Sequence, residues 1–273
     1  LYGDTLVKVC AASGTHYCDL TGEPQWMRKM QERHEATAGK SGAWIVHCCG
    51  FGSIPSDLGV HFLQQQAAKQ FGRTCDRISM RVAKLRGGAS GGTIASMINM
   101  VKEASSDAEL RRQLKDPYSL CPPGHGFSAR QRDVEMGYDE EYEGWIAPFI
   151  MAAINSRVVH RSNALSDKRY GGEFLYDEAM AFSGDGAGKR AARAVSWGVG
   201  GMMVGLALPP LRWLLGNHVL PQPGEGPSEQ QQRDGGCNQE RNQRGHDDDP
   251  PALDYISRSH VGERVNAHAR DRD

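Results

Sequence analysis

The stretch that decides the fold is Gly42-Ala-Trp-Ile-Val-His-Cys-Cys-Gly-Phe-Gly-Ser-Ile-Pro-Ser-Asp-Leu-Gly59. Residues 43–49 are apolar and partly β-branched, which suits a strand covered on both faces. Gly50 and Gly52 permit a tight turn, Ser53 can cap the free amides of a following helix, and Pro55 sits in a first helical turn, where its missing N–H costs nothing. A helix N-terminus is thereby set at the carboxyl end of a strand. In an open α/β sheet that is where ligands bind, because free amides and the helix dipole favour an anionic or polar group; yet every strand-to-helix unit has such a turn.

Upstream, Leu6, Val7 and Val9 with Ala11 and Ala12 predict a helix that ends at Gly14, and residues 16–20 a short strand. Glu23 and Pro24 have helix-start character, with Met27, Met30 and His34 following on one face. Downstream, Leu58, Phe62 and Leu63 carry a helix to about Gln70, and residues 77–85 form another strand. Helices alternating with strands are the signature of an α/β fold with a doubly wound parallel sheet. Residues 86–93, Arg-Gly-Gly-Ala-Ser-Gly-Gly-Thr, then open a helix whose Ile94, Met97, Ile98 and Val101 share one face. Such a turn can bring amides against a phosphate or carboxylate, or be simple punctuation. The full Gly-x-Gly-x-x-Gly dinucleotide fingerprint is absent from the chain.

Composition bounds the function. The chain has 273 residues, 39% of them hydrophobic and 24% charged, with a formal net charge of -1. No overall field recruits nucleic acid. Seven cysteines form no Cys-x-x-Cys pair, which argues against both a metal site and a disulfide framework, and so for a reducing compartment. Cys48 and Cys49 should point to opposite faces of their strand, one of them a core filler.

Three runs bring a family into view: Ala12-Ser-Gly-Thr-His-Tyr-Cys-Asp-Leu-Thr-Gly-Glu23, Cys49-Gly-Phe-Gly-Ser-Ile-Pro-Ser-Asp-Leu-Gly59 and Gly224-Glu-Gly-Pro-Ser228. With Gly88 to Ser96, Ala147-Pro-Phe149 through Asn155, Arg157 and Arg161-Ser-Asn163, they resemble the saccharopine dehydrogenase-like oxidoreductases, in particular the trans-acting enoyl reductase branch. The resemblance covers about residues 1–230. It implies an NAD(P)-dependent reductase of lipid or polyketide chains, with a Rossmann-like domain over 1–104, the remainder of a doubly wound parallel sheet, and a smaller α+β substrate domain over 105–193. Cofactor contacts are then expected at Gly14, Thr15, Thr21, Gly22, Glu23, Gly50 and Phe51, and substrate contacts at Ser53, Pro55, Ser90, Gly91, Arg157 and Arg161. Two departures stand out. The family's opening strand and phosphate turn would lie before Leu1, as in a chain truncated at its amino end, and Gly52 stands where the family usually has Asp.

Hydride transfer asks little chemistry of a protein: a cofactor held against an unsaturated carbon, a proton donor, and exclusion of water. Asp57, His47 and Tyr17 are the titratable candidates nearest the sheet edge. Asp57 has a second reading as a first-turn acid complementing the helix dipole, and His47 as a satisfied core histidine. Arg157 and Arg161, one turn apart on a helix expected over 146–163, could clamp an anion or serve intramolecular ion pairs. Glu135 and the acids of 139–143 read as a solvated loop face.

Residues 194–211 carry no charge, are bracketed by Trp197 and Trp213, and follow Lys189, Arg190 and Arg193. Pro209-Pro210 should end the helix near Leu208, leaving about 22 Å, short of the roughly 30 Å hydrocarbon core. A membrane-surface or re-entrant segment over 194–221 is expected, on the cytoplasmic face of a membrane or a lipid droplet, the alternative being a buried core helix. Beyond Pro221 the composition turns polar, and residues 222–273 are expected to be disordered.

Overall fold

The computed structural model describes residues 3–84 and 91–218. Within them the fold is α/β, with one parallel and one mixed sheet. Ser90 and the tail expected to be disordered lie outside the described residues.

The first half is built as α1 (Gly3–Ser13), β1 (Tyr17–Cys18), α2 (Pro24–Ser41), β2 (Ile45–Val46) and α3 (Ile54–Phe71). Pro24 occupies the first turn of α2, and Gly42 and Gly72 close α2 and α3 in the left-handed conformation, at φ 77° and 71°. The strands β1 and β2 pair in parallel, Tyr17 with Ile45 and Cys18 with Val46. The strand expected over 43–49 is therefore much shorter, and its physical limit is visible at Cys48. That residue turns to φ 61°, and Cys49 N–H donates back to the Asp19 carbonyl. Nor is the strand covered on both faces: Ala43 and Ile45 pack on Ala11 and Ala38, whereas Trp44 is 72% and Val46 46% exposed.

The second sheet is ordered β3-β6-β5-β4, from β3 (Arg77–Val82), β4 (Gly137–Asp139), β5 (Gly144–Pro148) and β6 (Leu175–Phe182). Here the structure corrects the reading of 77–85 as a continuation of the first sheet. β3 pairs in parallel with β6, Ile78 opposite Tyr176, while β5 pairs antiparallel with both β6 and β4. Arg81 ties the sheet together internally, 2.6 Å from both Asp139 and Asp177. Asp139 is thus a half-buried ion-pair partner of Arg81 and not part of a solvated acidic face.

Residues 146–163 are likewise not one helix. β5 ends at Pro148 and α6 spans Ala152–Leu165. This helix is the hinge of the architecture. Its Ile154 packs with Met27, Cys48 and Leu120, and its Val159 with Val60, Ile78, Tyr170, Phe174 and Tyr176. α3 lies beside it, though not on the face expected: Ser56, Val60, Gln64 and Ala67 are buried, while Leu58 and Phe62 are about half exposed. Gln64 can be inside because its amide exchanges two hydrogen bonds with the Cys75 backbone, at 2.9 and 2.7 Å.

The remaining helices are α4 (Gly91–Ser106), α5 (Ala108–Lys115), α7 (Gly186–Ala207) and α8 (Pro209–His218). α7 rests on β5 and β6 and also meets α4 and α8. Gly188 makes the first of these contacts possible, since a Cβ there would overlap the Ser183 carbonyl.

Candidate functional site

Tyr17, Asp19 and His47 meet at the carboxyl ends of β1 and β2. His47 Nδ1 lies 2.7 Å from Asp19 Oδ2, and the Thr21 amide donates to Asp19 Oδ1 at 3.1 Å. Burial opposes ionisation of Asp19, but the His47 bond, the charge of that ring and the Thr21 amide outweigh it and hold the carboxyl below its ordinary value. An ionised carboxylate only accepts, so Nδ1–H of His47 is the donor and Nε2 is the nitrogen left for other chemistry. Tyr17 and Trp26 set their ring edges against the imidazole, at 6.0 and 5.2 Å between centroids. Burial and the neighbouring Asp19 push the Tyr17 hydroxyl up to about 12. Tyr17 is therefore a proton-bearing group throughout the physiological range.

Asp19 was not among the candidates read from the sequence. It lay inside the Tyr-Cys-Asp-Leu-Thr-Gly-Glu run, and its role appears only when β2 brings His47 beside it. Of Cys48 and Cys49, read as pointing to opposite faces with one of them a core filler, Cys48 is the buried one. Its Sγ does point inward, to the Thr21 carbonyl at 2.9 Å, and burial pushes the thiol up to about 12. Its backbone, however, is in a conformation that non-glycine residues adopt at a cost, and such residues gather at binding sites.

A groove of about 420 Å³ opens beside this cluster, between α2, β2, α3 and α6, and His47, Ser53, Asp57 and Arg161 all line it. Met27, Met30, Ala43, Leu120 and Val158 supply apolar walls. The Asp57 carboxyl is raised by burial, even though Ser162 donates to its Oδ2 at 2.9 Å. Its Oδ1 is buried with no partner. Asp57 thus reaches the groove as a carboxyl that the described residues satisfy on one oxygen only.

The turn before α3 is used in two directions. Ser53 does not cap the helix; its hydroxyl donates inward to Asn155 Oδ1 at 2.8 Å. Asn155 in turn donates to Ser56 Oγ at 3.1 Å and to Glu178 Oε2 at 2.9 Å, and the Tyr176 hydroxyl donates to Glu178 Oε1. This network is buried throughout. Asn155, Tyr176 and Glu178 were missed because they come from α6 and β6, far away in sequence.

The other expected contacts fall in separate places. Gly14 is the left-handed exit of α1, at φ 75°, and Thr15 shares a hydrogen bond with Ser13. Thr21, Gly22 and Glu23 form the loop just above Asp19, where Glu23 N–H donates to Thr21 Oγ1 and no atom lies within 4 Å of a side chain built at Gly22. Gly50 packs on Leu20; Phe51 is 82% exposed and Pro55 is also exposed. Gly52 abuts Met151. Gly91 opens α4, which packs with α5, α7 and α8. Arg157 is buried and spends its guanidinium on Ser119 Oγ and the Leu114 and Ala153 carbonyls, so it straps a loop to α6. Arg161 donates to the Leu120 carbonyl at 2.7 Å and lies 3.5 Å from Glu35. Of the arginine pair, only Arg161 reaches the groove.

A Mycobacterium ulcerans trans-acting enoyl reductase is 37% identical over 250 residues, covering 86% of this chain and 58% of its own length. The Mycobacterium bovis trans-acting enoyl reductase is 35% identical over 251 residues, with the same coverage. A Mycobacterium tuberculosis protein provisionally named for that activity is 42% identical over 243 residues, covering 83% and 56%. The relatives carry the name trans-acting enoyl reductase, one of them provisionally. The chain spans little more than half their length. No family model and no solved structure matches.

Proposed function

We propose that this chain carries the catalytic corner of an NAD(P)-dependent enoyl reductase acting on lipid or polyketide-derived acyl chains. The observation that carries the reading is the Tyr17–Asp19–His47 cluster at the carboxyl ends of parallel strands, opening onto a largely apolar groove. The names of its mycobacterial relatives support it. Within this reading β1, α2 and β2 belong to a Rossmann-like unit, and the β3–β6 sheet belongs to a substrate-binding part.

The residues present suit the reactive end of a nicotinamide cofactor. Gly22 leaves open space above Asp19, and Thr21 and Glu23 offer a hydroxyl and a carboxyl for a ribose. A bound nicotinamide would supply hydride to the β-carbon of the conjugated double bond. The imidazolium form of His47, held in one orientation by the Nδ1–H bond to Asp19, gives its Nε2 proton to complete the reduction and is left as the neutral Nδ1–H tautomer, while Tyr17 and Trp26 hold the ring from the side. Asp57 and Arg161 orient the polar end of the acyl group, and the apolar walls exclude water from the reacting carbons. The Rossmann-like reading equally fits a saccharopine-type amino-acid dehydrogenase. The mostly apolar groove favours the acyl substrate.

The test uses full-length protein carrying this chain, NADPH or NADH, and an enoyl thioester beside an amino-acid substrate. Formation of the saturated acyl product, read by mass spectrometry and lost in His47→Ala, is expected. Turnover of the amino-acid substrate alone, or of neither, overturns the proposal.

A further inference from the structure

We propose that the bent helix pair α7–α8 docks this protein on an anionic lipid surface, lying in the interface without crossing it. Along α7 and its C-cap Leu208, Arg190, Arg193, Trp197, Gly201, Val204 and Leu208 follow one another at three- and four-residue steps, and each is exposed. They form a single stripe along the helix. The stripe is graded, cationic near the N-terminal end and apolar toward Leu208. At Pro209 the chain turns through 115° into α8, which adds exposed Leu211, Trp213 and Leu214 to the apolar end. Trp197 is 77% and Trp213 64% exposed.

Charge fixes what covers this face. Residues 186–218 contain Lys189, Arg190, Arg193 and Arg212 and no Asp or Glu; the one acid at this end is the N-cap Asp185, whose carboxylate accepts from Ser183 and the Gly188 amide and attracts Arg190. Lys189 is spent over the Trp145 ring and Arg212 turns toward the Leu206 carbonyl, which leaves Arg190 and Arg193 on the stripe. From Arg193 to Val204 is about 16 Å along the helix at 1.5 Å per residue. A helix dipped at its apolar end can therefore seat Val204, Leu208, Leu211 and Leu214 at the acyl boundary while the arginines meet phosphates. Among the described residues no single helix is long and apolar enough to cross a membrane, and the only pair that passes together is the bent one. Leu206, within the same uncharged run, is fully buried inside the protein and stays out of the lipid-facing stripe.

The test is flotation of the purified full chain with vesicles of phosphatidylcholine alone or mixed with phosphatidylglycerol. Recovery with the mixed vesicles is expected, with a blue shift of tryptophan emission. Arg190→Ala with Arg193→Ala should weaken binding about fivefold per arginine at low salt, and high salt should remove only that part. Val204→Asp with Leu208→Asp should abolish flotation while leaving the far-ultraviolet spectrum unchanged. Should that pair disturb folding, Trp197→Ser, a change on the exposed stripe, reads the same face. Absence of flotation with mixed vesicles, flotation indifferent to these substitutions, or a dimer that the same substitutions dissociate without any vesicle binding would each overturn the proposal.

Discussion

The N-cap and first turn of α3 send the hydroxyls of Ser53 and Ser56 backward into a closed network with Asn155, Glu178 and Tyr176, and bring Asp57 to the groove that His47 lines. Behind the helix each side-chain group has found a partner within the protein. In front, Asp57 Oδ1 has none. The difference separates scaffold from site by hydrogen-bond accounting: a satisfied polar network fixes a helix in place, whereas a group with an unused lone pair beside a cavity is kept for something that binds.

The comparison can be broken first from behind. Asn155→Ala removes hydrogen bonds to Ser53, Ser56 and Glu178 at once and should lower the unfolding free energy by about 3 kcal/mol, measured by urea denaturation. A loss below about 1 kcal/mol would mean that the network does not hold α3. In front, the order of effects reverses. His47→Ala should cost turnover of an enoyl thioester about a hundredfold, near 2.7 kcal/mol of barrier, and about 1–2 kcal/mol of stability, less than Asn155→Ala, because only the bond to Asp19 is lost.

Asp57→Asn should stabilise the protein at neutral pH by about 1 kcal/mol while impairing substrate binding. Its sign follows from burial, which raises the folded carboxyl. Such a group favours folding below its unfolded value, about 4, and that contribution is lost as pH rises through the higher folded value, so the gain should vanish in acid. Thermal melts across pH measure it. The smallest effect belongs to Asp19, whose folded value is lowered. Its contribution is present above about pH 4 and lost as pH falls through the folded value, and Asp19→Asn should remove that acid limb, worth under about 1 kcal/mol.

Much of this was legible in the sequence where the signal is local. Pro24 and Pro55 mark two helix starts, Gly14 ends a helix, and Pro209-Pro210 end α7. The pairing of β3 with β6 was not legible, since nothing in Arg77–Val82 says which of two parallel partners will be chosen across nearly a hundred residues. The apolar run after Gly144 fits a strand as well as a helix, which is why β5 and α6 read as one element. Leu58 and Phe62 misled because hydrophobicity alone cannot reveal that Gln64 and Ser56 find partners inside. At the site, His47 and Asp57 could be nominated from their place beside a turn. Asp19 could not be assigned without knowing that β1 and β2 are neighbours.

The pairing of β1 with β2 through only two residues each has a consequence for how the molecule opens. So short a ladder holds few amides against exchange, and Trp44 and Val46 add little cover on the outer face. The strand ends that carry Asp19 and His47 should exchange their amide hydrogens through local opening well before the six-residue β3–β6 ladder does. A ligand that binds only the closed form would then slow exchange there and nowhere else, so that occupancy of this corner can be read as protection against deuterium without any catalytic assay.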